Sequence, residues 1–329
     1  MTHSCLVTPT AAPRRQRNAT PGPIRVAISS CLLGQSVRYD GGHTRNAYIT
    51  ETLGSVFEFV PFCPEVAIGM GVPRPPIQLV RVGTSLLARG VENPNVDVTD
   101  KLLAYADTVA PTLQTVSGYI LKSRSPSCGL QQVKTFTPRG KASTPGVGIY
   151  AGRLQALCPA MPFEEEGRLM EPAVCENFLE RVVVYSRWQT LCKRRLTVVA
   201  LAGFHARHAL VARAHDEKLW RTLEHLIAMA KRHGLPDLSR RYIELLMQGL
   251  KKPTSRVRHA RVLQSIAGYF KDHLDAGERR ALQAIIAEYR CGVLPRLAVI
   301  ALLRHHLQRH PDSYLESQYY LDSALVEAP

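Results

Sequence analysis

Nothing in the 329 residues of this chain approaches the roughly 20 consecutive apolar residues of a membrane span. A membrane-crossing helix is therefore not expected. The first 23 residues, rich in Pro, Thr, Ala and Arg, lack the continuous apolar core of a signal peptide and read as a disordered tail. The expected location is the cytoplasm, where thiols stay reduced. Closely spaced cysteine pairs are also missing, although the chain has eight cysteines. That removes the usual signature of a structural zinc site. In a reducing compartment the eight read as free thiols or metal ligands rather than disulfides. Acidic residues are few: 27 Asp and Glu face 42 Lys and Arg, a formal net charge of +15. Such a balance favours polyanionic partners. Strand signals stop near Cys175, and no short-period repeat follows.

Before that point, strand-like and helix-like segments alternate over residues 24–165. Ile24–Ser29, Val56–Phe62 and Gly118–Lys122 read as core strands. Ile77–Val82 and Ser85–Arg89 flank Gly83-Thr84 as a hairpin. Asn46–Leu53, Val98–Val116 (capped by Thr99 or Asp100) and Gly146–Leu157 read as helices. The cluster Glu164-Glu165-Glu166-Gly167-Arg168 ends this region. The expected fold is an α/β N-terminal domain with a mostly parallel sheet, followed by an all-α C-terminal domain. Residues 166–185 form the expected linker and start of the first helix, and 186–329 the helical domain. Seven segments there (175–196, 198–214, 216–233, 239–250, 257–274, 278–290 and 295–308) carry helical apolar spacing. The basic excess concentrates in residues 186–329, with 24 Lys and Arg against 13 Asp and Glu, and ten of the twelve histidines. Nucleic acid is the first partner such a surface suggests.

Cys31, Cys63 and Cys128 each follow one of the three core strands. In open parallel sheets, ligands bind beyond the carboxyl ends of the strands, so the three thiols are expected on one crevice. Their neighbours are Pro, Gly and Ser, which fix loop backbones and leave N–H groups able to bond sulfur. Separate core positions are the alternative, since lone cysteines are usually buried. Cys158, Cys175, Cys192 and Cys291 read that way, and Cys5 falls in the tail. In the helical half, His205, His208 and His215 are placed on one face of a single helix, as a polar surface for a partner. The run Thr254-Ser255-Arg256-Val257-Arg258-His259-Ala260-Arg261 opens a helix with Thr254 or Ser255 as cap. Backbone N–H groups and Arg256, Arg258 and Arg261 would then point the same way, an arrangement suited to phosphate. Gly268-Tyr269-Phe270-Lys271 adds aromatic and basic surface.

Several motifs carry a family resemblance. Ser30-Cys31-Leu32-Leu33-Gly34, Tyr39-Asp40-Gly41-Gly42, Pro61-Phe62-Cys63-Pro64-Glu65, Gly71-Val72-Pro73-Arg74-Pro75-Pro76 and Leu121-Lys122-Ser123-Arg124-Ser125-Pro126-Ser127-Cys128-Gly129 occur in the order found in the thiouracil desulfidase (TudS-like) family. The first half resembles that family over nearly all of residues 24–165. The resemblance implies a 4Fe-4S cluster held by Cys31, Cys63 and Cys128, with one iron left open. A soft thiocarbonyl sulfur would bind that iron in preference to a carbonyl oxygen. Water would then replace sulfur on the ring carbon, without an external reductant. Such a reaction needs proton donors and acceptors. Glu65 is the first candidate and Asp40 the second; Ser125 and Ser127 are placed to relay a proton or orient the base. Each has a plainer role: Glu65 in a helix first turn, Asp40 in an Asp-Gly turn, and Ser125 in shaping the loop before Pro126. Arg74, Lys122 and Arg124 read as phosphate contacts or as solvated cations.

The second half resembles the YbgA-type helical domain. The matching pieces are Phe204-His205 with His208, Val262-Leu263-Gln264, Gly268-Tyr269-Phe270-Lys271, Tyr289-Arg290 with Gly292, Leu303-Arg304-His305, and Tyr314-Leu315-Glu316-Ser317-Gln318-Tyr319-Tyr320-Leu321. Ala209 departs from the family, which usually has Lys there. The fusion resembles the recombined desulfidase (RudS-like) family. That resemblance implies a hydrolytic desulfidase converting 4-thiouridine in tRNA to uridine and sulfide. The RNA contacts would be Arg256, Arg258, Arg261, Lys271, His205 and His208. Two other readings fit the same residues: desulfidation of free thiouracil or another small thiolated base, and an iron–sulfur nucleic-acid-binding sensor. The sequence does not fix the oligomeric state.

Overall fold

A computed structural model describes residues 23–230 and 234–322. The expected tail, with Cys5, lies outside the described residues apart from Pro23. No helix among the described residues is long and apolar enough to cross a membrane.

The first half holds β1 (Ile24–Ser29), β2 (Phe57–Phe62), α1 (Pro64–Ala67), β3 (Ile77–Val82), β4 (Ser85–Gly90), α2 (Thr99–Val109), β5 (Tyr119–Leu121), β6 (Val133–Phe136), β7 (Ala142–Gly146), α3 (Ile149–Leu157) and β8 (Phe163–Glu165). One sheet runs β2-β1-β5-β8 and is parallel throughout. This is the expected parallel core. Residues alternate across it, as period-2 geometry requires. Val26, Ile28 and Ile120 pack with Phe178, Leu179 and Val182 on one face. Ala27, Tyr119 and Leu121 pack with Leu102, Ala106 and Leu154 on the other. A central strand covered on both faces has no polar edge to show, which is why β1 reads as a nearly continuous apolar run.

A second four-stranded sheet, β4-β3-β6-β7, was not expected beyond its hairpin. The hairpin pairs Ile77 with Gly90 and Val82 with Ser85, and Gly83 takes φ +59 in its turn. β6 and β7 escaped the sequence reading because β7 is Ala-Ser-Thr-Pro-Gly, mostly exposed. Proline is tolerated there because the strand lies at the sheet edge. That strand also moves the start of α3 from Gly146 to Ile149. The α2 cap differs too. Val98 holds the cap position, and Asp97 accepts the Thr99 N–H at 3.0 Å and its hydroxyl at 2.6 Å.

The second half is helical: α4 (Pro172–Cys192), α5 (Val198–Arg207), α6 (Ala209–His215), α7 (Glu217–Ala228), α8 (Leu235–Leu250), α9 (Arg256–Tyr269), α10 (Ala276–Cys291), α11 (Arg296–Arg309) and α12 (Ser313–Ser317). The long helix α4 runs unbroken through the boundary expected near residue 185 and belongs to both cores. Its Phe178, Leu179 and Val182 cover the parallel sheet, while Val183, Val184 and Trp188 pack among the helices. Gly118 permits the close approach, since a Cβ there would lie 2.8 Å from the Val182 side chain. Gln189 adds bonds to the Val116 carbonyl at 2.8 Å and from the Ser117 hydroxyl at 2.7 Å.

The structure corrects the histidine face. The chain breaks at His208, so His205 and His215 sit on different helices. The His208 Nδ1–H donates to the Phe204 carbonyl at 2.8 Å, inside the turn where α5 ends. His205 stacks on Trp220 at 3.7 Å, and His215 meets Glu180 at 2.6 Å. His205 and His208 are buried, 7% and 1% exposed, and offer no surface to RNA.

These buried rings predict an acid-sensitive fold. Burial first, then the charges of Arg187 and Arg207, pushes His208 down to about 3, against the pull of its Phe204 bond. Burial and the Arg296 charge bring His259 to about 3, outweighing Glu180. In the unfolded chain both rings take up protons below about pH 6.5. The native state therefore keeps its full stability above that pH and loses it as pH falls toward 3. At pH 5 the loss is ~2 kcal/mol for each ring. The Tm of helical unfolding, followed by circular dichroism, is expected to fall by roughly 10 °C between pH 7 and pH 5. An unchanged Tm over that range would contradict the buried neutral rings.

Candidate active site

Ser29 of β1 pairs with Phe62 of β2, so both strands end at the same level. Cys31 lies in the turn Ser30–Leu33 after β1, and Gly34, at φ +91, closes that turn. Cys63 follows β2 directly and caps α1, with Pro64 at its first position. On the other side of β1, β5 leads into the loop 122–128, and the Lys122 N–H donates to the Ser29 hydroxyl at 3.0 Å. All three cysteines line one cavity of about 410 Å³ at this sheet edge. That volume lies within the ~300–1,000 Å³ of small-molecule sites. The strand order turns about β1, where a parallel sheet opens its binding crevice.

Burial pushes all three thiols above the ordinary range. For Cys31 the Lys122 and Arg38 charges oppose it. Cys63 is also raised by the charges of Glu65 and Cys31, and Cys128 by those of Glu65 and Cys63. Among the described residues, no three His, Cys, Asp or Glu side chains assemble as ligands of a single metal ion. The thiols are arranged around the cavity rather than converging on one point.

Glu65 projects from the first turn of α1 into this cavity. Its Oε2 accepts from Arg74 Nη2 at 2.6 Å and Nε at 2.9 Å, and its Oε1 accepts from the Ser127 hydroxyl at 2.5 Å. The Ser125 and Ser127 hydroxyls are 2.9 Å apart, and Ser125 Oγ also accepts the Cys128 N–H at 3.1 Å. Ser127 Oγ approaches the Cys128 sulfur at 3.7 Å. A carboxylate, two hydroxyls and a thiol thus form one chain of contacts. Arg74 is neither solvated nor free for phosphate: it is 7% exposed and also donates to the Val37 and Gly71 carbonyls at 2.9 and 3.0 Å. Asp40 does not line the cavity. It is exposed and accepts the Gly42 N–H at 3.0 Å. That bond lowers its carboxyl, with Arg38 assisting against slight desolvation. Its plainer role as a turn residue is the one the geometry supports.

The acidic cluster ending this region is not a solvated run. Glu164, Glu165 and Glu166 are buried, 7%, 5% and 7% exposed. Glu165 accepts the N–H groups of Leu130 and Gln131 at 2.7 and 3.3 Å. Glu166 accepts the Ser123 N–H at 2.6 Å and hydroxyl at 2.8 Å, and pairs with Lys122. Both carboxylates therefore hold the loop that carries Cys128. Gly129 and Gly148 hold it from the other side, because a Cβ at either would lie 2.4 Å from Val133 or 2.5 Å from the Ser127 carbonyl. The Phe163–Glu165 strand is too short for its alternation to be read, so these anchors were missed. Removing the carboxylate with Glu166→Ala leaves Lys122 unpaired and frees the Ser123 amide. The expected loss is about 2–3 kcal/mol, read as a lower urea midpoint.

The expected RNA-contact residues divide. Arg258 and Arg261 share a cavity with Arg213, and Arg258 donates to the His215 carbonyl at 2.5 Å. Arg256 points elsewhere, 5.9 Å over the Tyr289 ring, so the three arginines do not act as one set. Ser255 is the cap, accepting the Arg258 N–H at 3.4 Å. Lys271 and Tyr269 are exposed and Phe270 is core.

A family model described as 2-thiouracil desulfurase matches residues 26–166, the segment that builds this cavity. A second, DUF1722, described as a protein of unknown function, matches residues 210–323. The uncharacterized protein YbgA of Escherichia coli (strain K12) is 31% identical over 148 residues, 45% of this chain and 88% of that protein. The uncharacterized protein YbbK of Bacillus subtilis (strain 168) is 33% identical over 141 residues, 40% of this chain and 89% of that protein. The chain joins a domain of the 2-thiouracil desulfurase family to one of the DUF1722 (YbgA-type) family. The desulfurase domain is also similar to a solved structure described as 4Fe-4S-dependent thiouracil desulfidase TudS, at 30% identity and TM-score 0.38, covering 46% of this chain and 97% of that one. The cavity of the desulfurase domain is lined by the three thiols, Glu65 with Arg74, and the two serines.

Proposed function

We propose that this protein is a 4Fe-4S-dependent desulfidase that converts 4-thiouridine in tRNA to uridine and sulfide by hydrolysis. One observation carries the reading: three thiols from three strand ends line one cavity together with a hydrogen-bonded carboxylate. The donor set fits the cluster. Thiolates are the usual ligands of iron–sulfur centres, and a cluster takes each on a different iron, as suits thiols spread around a cavity. Cys158, Cys175, Cys192 and Cys291 do not line that cavity, so three is its full complement among the described residues. A cluster held by Cys31, Cys63 and Cys128 supplies one iron free of protein ligands, a Lewis acid with affinity for a soft thiocarbonyl sulfur.

The remaining roles belong to this chain's own residues. The reaction replaces C=S and water by C=O and hydrogen sulfide, with no change in electron count. Both protons of the attacking water must leave its oxygen, and the departing sulfur receives two. Glu65 is the acceptor, through Oε1, because Arg74 occupies its Oε2. Ser127 and Ser125 carry a proton between that oxygen and the neighbourhood of the Cys128 sulfur. Arg38 and Arg124 line the same cavity and supply positive charge for phosphates flanking the base, while Lys122 is held by Glu166. Arg258, Arg261 and Lys271 extend the basic surface along the helical half. Extruding a base from folded RNA costs roughly a few kcal/mol, which such contacts offset.

Anaerobically reconstituted protein is expected to release sulfide from 4-thiouridine-containing tRNA with equivalent uridine, and the KM for tRNA is expected to rise steeply with salt. Activity on free 2-thiouracil alone would favour the second reading, a small-base desulfidase. The cavity supports that reading in one respect, being lined only by residues of the desulfurase half. Arg258→Ala with Arg261→Ala separates the two. It raises KM for tRNA and leaves the free base untouched if the substrate is RNA.

A further inference from the structure

Two aromatic residues line the cavity that holds the three thiols, Phe62 and Tyr39. They differ in what else they do. The Phe62 ring packs on Tyr119 at 5.9 Å and joins the core on that face of the parallel sheet. Tyr39 is 44% exposed. Among the described residues it packs against no other aromatic ring, and its hydroxyl makes no hydrogen bond. A ring left in water contributes little to the fold. Covering it with a flat apolar ligand is favourable, through the area removed from water and through ring stacking.

The backbone beneath this ring is held on two sides. The Tyr39 carbonyl accepts the Arg74 N–H at 2.8 Å, and the Val37 carbonyl accepts from the Arg74 guanidinium at 2.9 Å. Arg74 is in turn paired with Glu65 at 2.6 Å. The loop also closes on itself. The Arg38 N–H donates to the Gly42 carbonyl at 3.1 Å, and the Gly41 N–H to the Arg38 carbonyl at 3.0 Å, with Gly41 at φ +77. Asp40 accepts the Gly42 N–H and pairs with Arg38 at 3.4 Å. The Arg38 guanidinium lies 5.5 Å from the centre of the Tyr39 ring, within cation–π range. The loop that carries Tyr39 is thus positioned by the same arginine that orients Glu65. A platform fixed before its ligand arrives costs little ordering entropy on binding.

We propose that Tyr39 is the platform on which the substrate's pyrimidine ring stacks, a proposal that rests on the desulfidase reading. Glu65, Ser125 and Ser127 handle protons, and none of them recognises the base. Stacking on Tyr39 holds the base by its face and leaves the edge that carries sulfur free. Recognition by the face is tolerant of what the edge carries. The same contact therefore serves 4-thiouridine and 2-thiouracil alike. It also replaces part of the stacking that a base gives up when it leaves folded RNA.

The test is steady-state sulfide release from the nucleoside 4-thiouridine and from 2-thiouracil by the cluster-loaded full chain and its Tyr39 variants. Tyr39→Ala is expected to raise KM about tenfold or more for both substrates. The effect falls on KM rather than kcat, because a stack made equally in ground and transition states is uniform binding. Tyr39→Phe and Tyr39→Trp keep an aromatic face and are expected to restore most of the affinity. A ring that only shapes the loop would instead lower Tm and cluster content. A second arm needs no turnover. 4-Thiouridine cross-links to adjacent side chains under near-ultraviolet light, and the tryptic peptide Tyr39–Arg45 is expected to carry the label, competed away by uridine. Wild-type KM in Tyr39→Ala overturns the platform and leaves the desulfidase reading standing. No sulfide release by the wild-type chain from any thiolated base defeats that reading instead. The label then decides alone: its presence on Tyr39–Arg45 upholds the platform, and its absence overturns it.

Discussion

Glu65→Gln is expected to lower kcat by about 10²–10⁴-fold while cluster content stays at the wild-type level. The substitution keeps the size of the side chain and one acceptor oxygen, so the Ser127 hydroxyl at 2.5 Å retains a partner. What it removes is the ability to take a proton. It also leaves the Arg74 guanidinium, 3% exposed, opposite a neutral amide. Some loss of stability accompanies it, and Tm must be measured alongside the rate. If Glu65 serves only to hold Arg74 in the loop, Tm falls and kcat in the surviving fold does not. Ser125→Ala and Ser127→Ala then report on the relay. Ser127→Ala removes the bond to Glu65 and is expected to lower kcat, without weakening substrate binding.

Cys128→Ala is expected to abolish both cluster assembly and sulfide release, and Cys31→Ala and Cys63→Ala to do the same. Losing one of three protein ligands leaves two, too few to retain a cluster through purification. Iron and sulfide analysis reads this directly, as does the loss of the brown absorbance of the anaerobic protein. Cys158→Ala supplies the control. It sits outside the thiol-lined cavity, half-buried, and is expected to keep full cluster content. A single variant at Cys31, Cys63 or Cys128 that retained full iron would remove that residue from the ligand set.

The sequence revealed the parallel core because buried strands such as Ile24–Ser29 are nearly continuous apolar runs with a definite end. The cysteines were found at those ends, and Ser125 and Ser127 were found beside one of them. Arg74 was noticed but misjudged: a basic residue in a Pro-rich loop reads as surface, and only the fold brings Glu65 within 2.6 Å of it. Glu165 and Glu166 read only as a charge cluster ending the region, because β8 has three residues and too little alternation to reveal that they are buried. The histidines failed for a different reason. A 3.6-residue period assumes an unbroken helix, and the His208 side chain bonds the Phe204 carbonyl where α5 ends. Arg258 and Arg261 face one cavity while Arg256, on the same helix, lines another, as the 100° step per residue of an α-helix permits.

The account rests on the three thiols and Glu65 acting together on a thiolated base. The measurement that tests it most directly is sulfide and uridine release from 4-thiouridine-containing tRNA by the anaerobically reconstituted full chain. Sulfide and uridine formed in equal amounts, only by cluster-loaded protein and not by Glu65→Gln, is the predicted result. Cluster-loaded protein that releases no sulfide from tRNA, free 4-thiouridine or 2-thiouracil would contradict it.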